Sequence, residues 1–272
     1  MWCPCDRGRV GCRLWGRKWG KVVYFDFKDV RIDVNIADRT RLEQAVMGHF
    51  QTRRGFALAT VNLDHLVKMK ASDSFLKAYA AQDFVVADGR PIVWLSRLAQ
   101  RPVSLMPGSD MVVPLCQWAA RAGVPVAFVG STDVALRDAA EALKAGVPGL
   151  EVNWCHAPSG VFDPASDEAT DILQELARRK IGLCFLALGA PKQEAMAARG
   201  RALSPEVGFA SVGAGLDFLG GHQKRAPKLV RDLALEWAWR WLWSPRRLGP
   251  RYLKCLAILP GQLLHALRLR HP

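Results

Sequence analysis

The stretch IGLCFLALGAPKQEAMAARGRAL, residues 181–203, carries an apolar run (181–188) into a Gly-Ala-Pro turn and then into a helix-forming run (191–203). A strand with no polar alternation is buried on both faces, so the helix that follows must cover one face of a sheet. The same unit recurs outward from it. Toward the amino terminus, strands are predicted at 150–154, 126–129, 84–87 and 56–61, with helices at 166–179, 134–145, 111–122, 91–100 and 63–81. Pro91 stands at an early helical position, and Gly130-Ser131-Thr132-Asp133 supplies a cap for the helix at 134–145. Toward the carboxyl terminus, a strand at 208–212 runs into Gly213-Ala214-Gly215. Repeated strand–helix alternation specifies an α/β fold, a parallel sheet with helices on both faces.

The chain has 272 residues, 50% of them hydrophobic and 23% charged, which is enough to bury a core and excludes disorder, collagen and coiled coil. No apolar run approaches the roughly 20 residues that span a bilayer. Residues 1–20 lack the apolar segment of a secretory signal, so a cytoplasmic location is expected. Seven cysteines leave an odd one, which argues against a disulfide framework, and Cys3, Cys5 and Cys12 do not match zinc-site spacing.

The formal charge of +13 is segregated. Residues 1–21 hold six Lys/Arg and one acid, and residues 222–272 hold eleven Lys/Arg and two acids, which leaves the intervening 200 residues at −1. Three segments are therefore expected: a basic, disordered leader at 1–21, an α/β core at 22–221, and a basic helical appendage at 222–272. The appendage is also aromatic, with Trp237, Trp239, Trp241 and Trp243 followed by Arg246, Arg247 and Arg251. Tryptophan beside arginine and leucine suits a segment lying in a lipid headgroup layer; packing of the tryptophans on the core is the alternative.

Ligands of open α/β sheets bind beyond the carboxyl ends of the strands. The junctions to consider are 60–62, 87–89, 130–132, 189–194 and 213–217. Position 218 is Phe where a dinucleotide fingerprint needs glycine, there is no P-loop, and no D-x-D occurs to hold a divalent ion on a diphosphate. A diphosphate would thus be met by Lys/Arg and by backbone N–H groups. Asp88 ends an apolar strand and is followed by Gly89, which projects a carboxylate from the sheet edge; simple turn chemistry is the alternative. Thr60 and Asn62 also read as turn formers, and Lys192-Gln193-Glu194 as a polar first helical turn. His65, His156 and His222 read as ordinary polar residues.

Taken in order, the motifs TVNLDHL (60–66), VADG (86–89), PGSD (107–110), FVGS (128–131), GAPKQE (189–194), VGAGLDFLGG (212–221), KRAPK (224–228) and LEWAWRWLWSPRRLGPRYL (235–253) resemble the WecG/TagA/CpsF family of bacterial glycosyltransferases over about residues 30–255. That resemblance implies a Rossmann-like core of the GT-E type. It implies an inverting, metal-independent transfer, with no cofactor, from a UDP-sugar to a saccharide on a polyprenyl diphosphate, in exopolysaccharide or other cell-surface polysaccharide synthesis. The reaction would take place at the inner face of the plasma membrane. By the family pattern Asp88 is the general base and Thr60 and Asn62 line its pocket. Gln193 lies by the donor, with Gly130, Glu194 and Gly213 grouped with it as substrate-binding, and Arg225, Arg247 and Arg251 neutralise the diphosphate. Arg90-Pro91 and Ala195-Met196-Ala197 depart from the pattern near the expected pocket, which leaves the sugar undetermined among N-acetylmannosamine, its uronic acid, glucose and others. Two rival readings of the basic tail are a nucleic-acid-binding module and a non-catalytic membrane scaffold; the resemblance implies no nucleic-acid partner and leaves a homo-oligomer open.

Overall fold

The computed structural model describes residues 22–223, 226–227, 230, 239, 241–242 and 245–270, with the side chain of Arg247 excepted. The leader expected at 1–21, Arg225, Trp237 and Trp243 lie outside the described residues.

The described chain opens with an antiparallel hairpin, β1 (Tyr24–Phe27) and β2 (Val30–Asp33), followed by α1 (Arg39–Gln51). Asp38 caps α1, its Oδ1 accepting from Arg41 N at 2.9 Å. Six further strands follow: β3 (Ala57–Val61), β4 (Phe84–Ala87), β5 (Val126–Gly130), β6 (Val152–His156), β7 (Leu183–Ala187) and β8 (Gly208–Ser211). They form one parallel sheet in the order β4-β3-β8-β7-β5-β6. Every residue of β3, β4, β5 and β8 is buried, Thr60 and Ser211 included, as expected for strands covered on both faces.

Between and after the strands run α2 (Leu63–Ala71), α3 (Asp73–Ala80), α4 (Arg90–Leu98), α5 (Gly108–Arg121), α6 (Asp133–Gly146), α7 (Asp167–Arg178), α8 (Lys192–Leu203), α9 (Gly215–Leu219) and α10 (Pro245–Arg270). Most boundaries fall within one or two residues of the sequence expectation, and three differences bear on the site and the sheet. The helix expected at 63–81 is two helices, because Ser72 is extended and its Oγ accepts from Phe75 N at 3.3 Å to start α3. The helix expected from 111 begins at Gly108, and the strand expected at 150–154 sits at Val152–His156.

Side chains of each strand divide between the two faces with period two. On β5, Val126 and Phe128 join the core that holds Trp118, Leu136 and Phe185, whereas Ala127 and Val129 join the core under α7 and α8. A third core surrounds β3 and β4. It takes Phe25 and Ile32 from the hairpin, Leu66 and Met69 from α2, Ile92 and Leu95 from α4, and Ala266 and Leu269 from the end of α10. Helix α10 packs on α2 and α4 and is tied down at its end, where His265 Nε2 donates to Tyr24 O at 3.0 Å and Arg101 Nη2 donates to Leu269 O at 3.3 Å. No described helix is long and apolar enough to cross a membrane.

Candidate active site

The carboxyl ends of β3 and β4 bring Thr60, Asn62 and Asp88 together. Parallel pairing sets Thr60 opposite Val86 and Val61 opposite Ala87, so the residues after the two strands emerge side by side. Asp88 N donates to Val61 O at 2.8 Å, which carries the pairing one residue past β4. Gly89 then turns at φ +103°, a conformation that side-chain-bearing residues rarely adopt, and α4 begins. Asp88 Oδ2 accepts from Asn62 Nδ2 at 3.3 Å and from Thr60 Oγ1 at 3.5 Å. Asn62 is itself fixed, because its Oδ1 accepts from His65 N at 3.1 Å and caps α2.

Beneath this trio lies a buried layer. Tyr79 OH donates to Thr60 O at 2.5 Å, and burial together with the nearby Glu194 and Asp88 carboxylates holds that phenol well above its usual range. His65, packed between Phe75 and Tyr79, is pushed by burial down to about 4 and is therefore neutral. Sequence reading treated His65 as ordinary; its place in the floor of the site became visible only when α2 and α3 were folded together.

On the other side of β3, strands β8 and β7 contribute Gly213 and the turn 188–194. Ala190-Pro191 is a cis peptide bond there. Gln193 is buried and acts as a clasp: its Oε1 accepts from Gly213 N at 3.1 Å and its Nε2 donates to Glu194 Oε1 at 2.9 Å. Glu194, grouped with the substrate-binding residues by sequence, is wholly buried, and burial raises its carboxyl above the ordinary range. Its position makes it a support for Gln193 rather than a surface open to a ligand. Gly130 ends β5 against β7, where a Cβ would lie 2.5 Å from the carbonyl carbon and oxygen of Ala187. The next residue, Ser131, donates through Oγ to Asp217 Oδ1, and Asp217 Oδ2 accepts from Gln223 Nε2 at 2.8 Å.

The tail arginines separate. Arg225 and the side chain of Arg247 lie outside the described residues. Arg251 projects from α10 to the first turn of α2, where its Nε lies 2.8 Å from Asp64 Oδ1. Lys68 Nζ reaches the other oxygen of Asp64 at 3.0 Å and donates to Ala190 O at 3.2 Å. Burial pushes the Asp64 carboxyl up, but Arg251 and Lys68 outweigh it and hold the group below its usual value. Asp64 and Lys68 were not marked by the sequence reading; the ion pair of Asp64 with Arg251 of α10 couples residues 187 positions apart.

The site thus has a fixed carboxylate at one strand end, a clasped glycine at a neighbouring end, and two cations, Lys68 and Arg251, paired with Asp64 in the first turn of α2. Such an arrangement can take a proton from a hydroxyl and can offset developing negative charge. A comparison with known families finds that the model described as "Glycosyl transferase WecG/TagA/CpsF family" matches residues 27–271.

Proposed function

The chain belongs to the WecG/TagA/CpsF family of glycosyl transferases, and from that premise we propose the reaction it performs. It moves a sugar from a UDP-sugar to a saccharide carried on a polyprenyl diphosphate, inverting the anomeric centre without a metal ion, in cell-surface polysaccharide synthesis. The observation that carries this reading is Asp88, held at the open edge of the sheet by donors from Thr60 and Asn62.

In this mechanism an acceptor hydroxyl attacks the anomeric carbon from the face opposite UDP. Asp88 takes the hydroxyl proton as the new glycosidic bond forms and the bond to the UDP oxygen breaks. UDP departs with the bonding electrons, and cationic side chains stabilise its charge. In this reading Arg251 and Lys68, which pair with Asp64 in the first turn of α2, exchange those contacts for the departing diphosphate. The Gln193 clasp on Gly213 keeps the donor-side loop in shape.

Association with the inner face of the membrane is supported by α10. It carries no acid between Pro245 and Arg270, and it exposes Leu253, Leu256, Leu264 and Leu267 beside its arginines. At its end α10 is joined to the α/β body, where Ala266 and Leu269 lie in a core shared with the hairpin, α2 and α4.

The reading is tested by calorimetric screening of UDP-sugars, including those of N-acetylmannosamine, its uronic acid and glucose. The best donor is then incubated with short-chain polyprenyl diphosphate saccharides in the presence of a chelator. Product formation with the chelator present is the expected result. Loss of product that manganese restores refutes the metal-free mechanism, and failure to bind any UDP-sugar refutes the donor assignment.

A further inference from the structure

A cavity of about 460 Å³ lies on the outer flank of β4, away from β3 and the donor-side loops. Its size falls in the usual range of about 300–1,000 Å³ for small-molecule sites. Arg90, Trp94 and Arg97, spaced four and three residues apart on α4, share one helix face and form one wall. Ser104, Leu105 and Asp38 also line it. The lining is tied to the strand end that carries Asp88: Leu105 bridges to Ala87, Met106 N donates to Ala87 O at 2.8 Å, and Arg90 follows directly on Asp88-Gly89.

The chemistry of the groove is specific. Trp94 is 56% exposed, an indole left open on a helix whose Ile92, Val93, Leu95 and Ser96 are buried. A flat aromatic face beside two guanidinium groups suits a ligand that combines the apolar C–H face of a sugar ring with phosphate oxygens. The acid in the lining, Asp38, is already engaged as the cap of α1 through Arg41 N. Asp88 therefore stands between two different regions. Toward β3, β8 and β7 are the clasped loops of Gln193 and Gly213, and toward the sheet edge is the cationic, aromatic groove.

We infer that the Arg90–Trp94–Arg97 groove is the acceptor subsite, holding the saccharyl diphosphate head of the lipid-borne acceptor with its hydroxyl directed to Asp88. The inference rests on the glycosyl-transfer reading above and adds to it which surface takes the acceptor. Arg90 and Arg97 bind the diphosphate and Trp94 stacks on the sugar. Helix α4 also packs, through its buried residues, on the basic, leucine-bearing α10, so that one helix joins the groove to the segment on which the isoprenoid would lie.

The experiment compares the intact chain with Trp94→Ala, Arg97→Ala and Arg97→Lys, all at exposed positions. The steady-state readouts are the acceptor KM and the donor KM, with farnesyl diphosphate carrying one hexose as the acceptor probe. A rise of about tenfold in acceptor KM is expected for each alanine variant, the loss of one charge-assisted contact or one stacking face, with donor KM unchanged and partial recovery in Arg97→Lys. An unchanged acceptor KM, or a change confined to the donor, overturns the assignment. Direct titration of the same probe, without any donor, separates this inference from the reading beneath it. If no UDP-sugar is turned over, about tenfold weaker probe binding by the alanine variants still supports the groove, and equal binding overturns it. Phosphatidylglycerol vesicles form the last arm: weakened vesicle binding with unaltered probe affinity makes the groove a lipid headgroup site and overturns the proposal.

Discussion

Asn62 holds Asp88 with one end of its amide and the first turn of α2 with the other: Nδ2 donates to Asp88 Oδ2 at 3.3 Å while Oδ1 accepts from His65 N at 3.1 Å. The carboxylate is thereby referenced to a helix and not only to its own turn. Because Thr60 Oγ1 addresses the same oxygen, the orientation of Asp88 is set by β3 as much as by β4.

Asp88→Asn is expected to lower kcat by at least about 100-fold, the ordinary worth of a general base, with UDP-sugar binding retained. Parallel rate and calorimetric measurements check this. A rate equal to that of the parent removes Asp88 as the base.

Asn62→Ala is expected to act twice. Loss of the cap destabilises the chain by about 1 kcal/mol, and loss of the Nδ2 contact lowers kcat by more than that small destabilisation explains. Urea unfolding and turnover at a temperature where both proteins are fully folded separate the two effects.

Gly130→Ala is expected to cost about 3 kcal/mol, because the new methyl meets the Ala187 carbonyl at 2.5 Å and the backbone stands at φ +119°. Denaturant midpoints measure it. A loss below about 0.5 kcal/mol would mean that β5 and β7 do not approach as closely as described.

His65 makes stability depend on pH in a defined direction. Burial lowers its pKa from 6.5 to about 4, so the folded chain resists a proton that the unfolded chain accepts. This contribution is complete above pH 6.5 and is lost as pH falls from 6.5 to 4, in total about 3 kcal/mol. His65→Gln, which cannot titrate, should lack that part of the slope when unfolding free energies at pH 7.5 and pH 4 are compared. Equal slopes in the two proteins contradict the assignment.

Leu269→Ala is expected to destabilise the whole α/β body, by about 2–3 kcal/mol, although it lies near the end of the chain. Leu269 is buried with Phe25, Val103 and Ala266, so its loss opens the core between the hairpin and α4. Thermal unfolding followed by circular dichroism checks this, and an unchanged midpoint would show that α10 is only loosely attached.

The largely apolar runs at β3, β4, β5 and β8, together with the turn residues behind them, determined the α/β class, the parallel sheet and the set of strand-end junctions from sequence alone. Burial on both faces leaves a local signature that needs no knowledge of neighbours. The hairpin and α1 escaped that reading because β1 and β2 are four residues each and α1 has a weakly apolar face, so neither shows a clear period. Thr60, Asn62 and Asp88 were legible as candidates, but their convergence on one carboxylate oxygen depends on β3 pairing with β4. The burial of Glu194, the Gln193 clasp on Gly213, the Asp64 link to Arg251 and the groove of Trp94 were decided by tertiary structure only. Each joins segments far apart in the chain, and the free energy that selects such a contact comes from packing and desolvation in the folded state, which no local pattern of residues encodes.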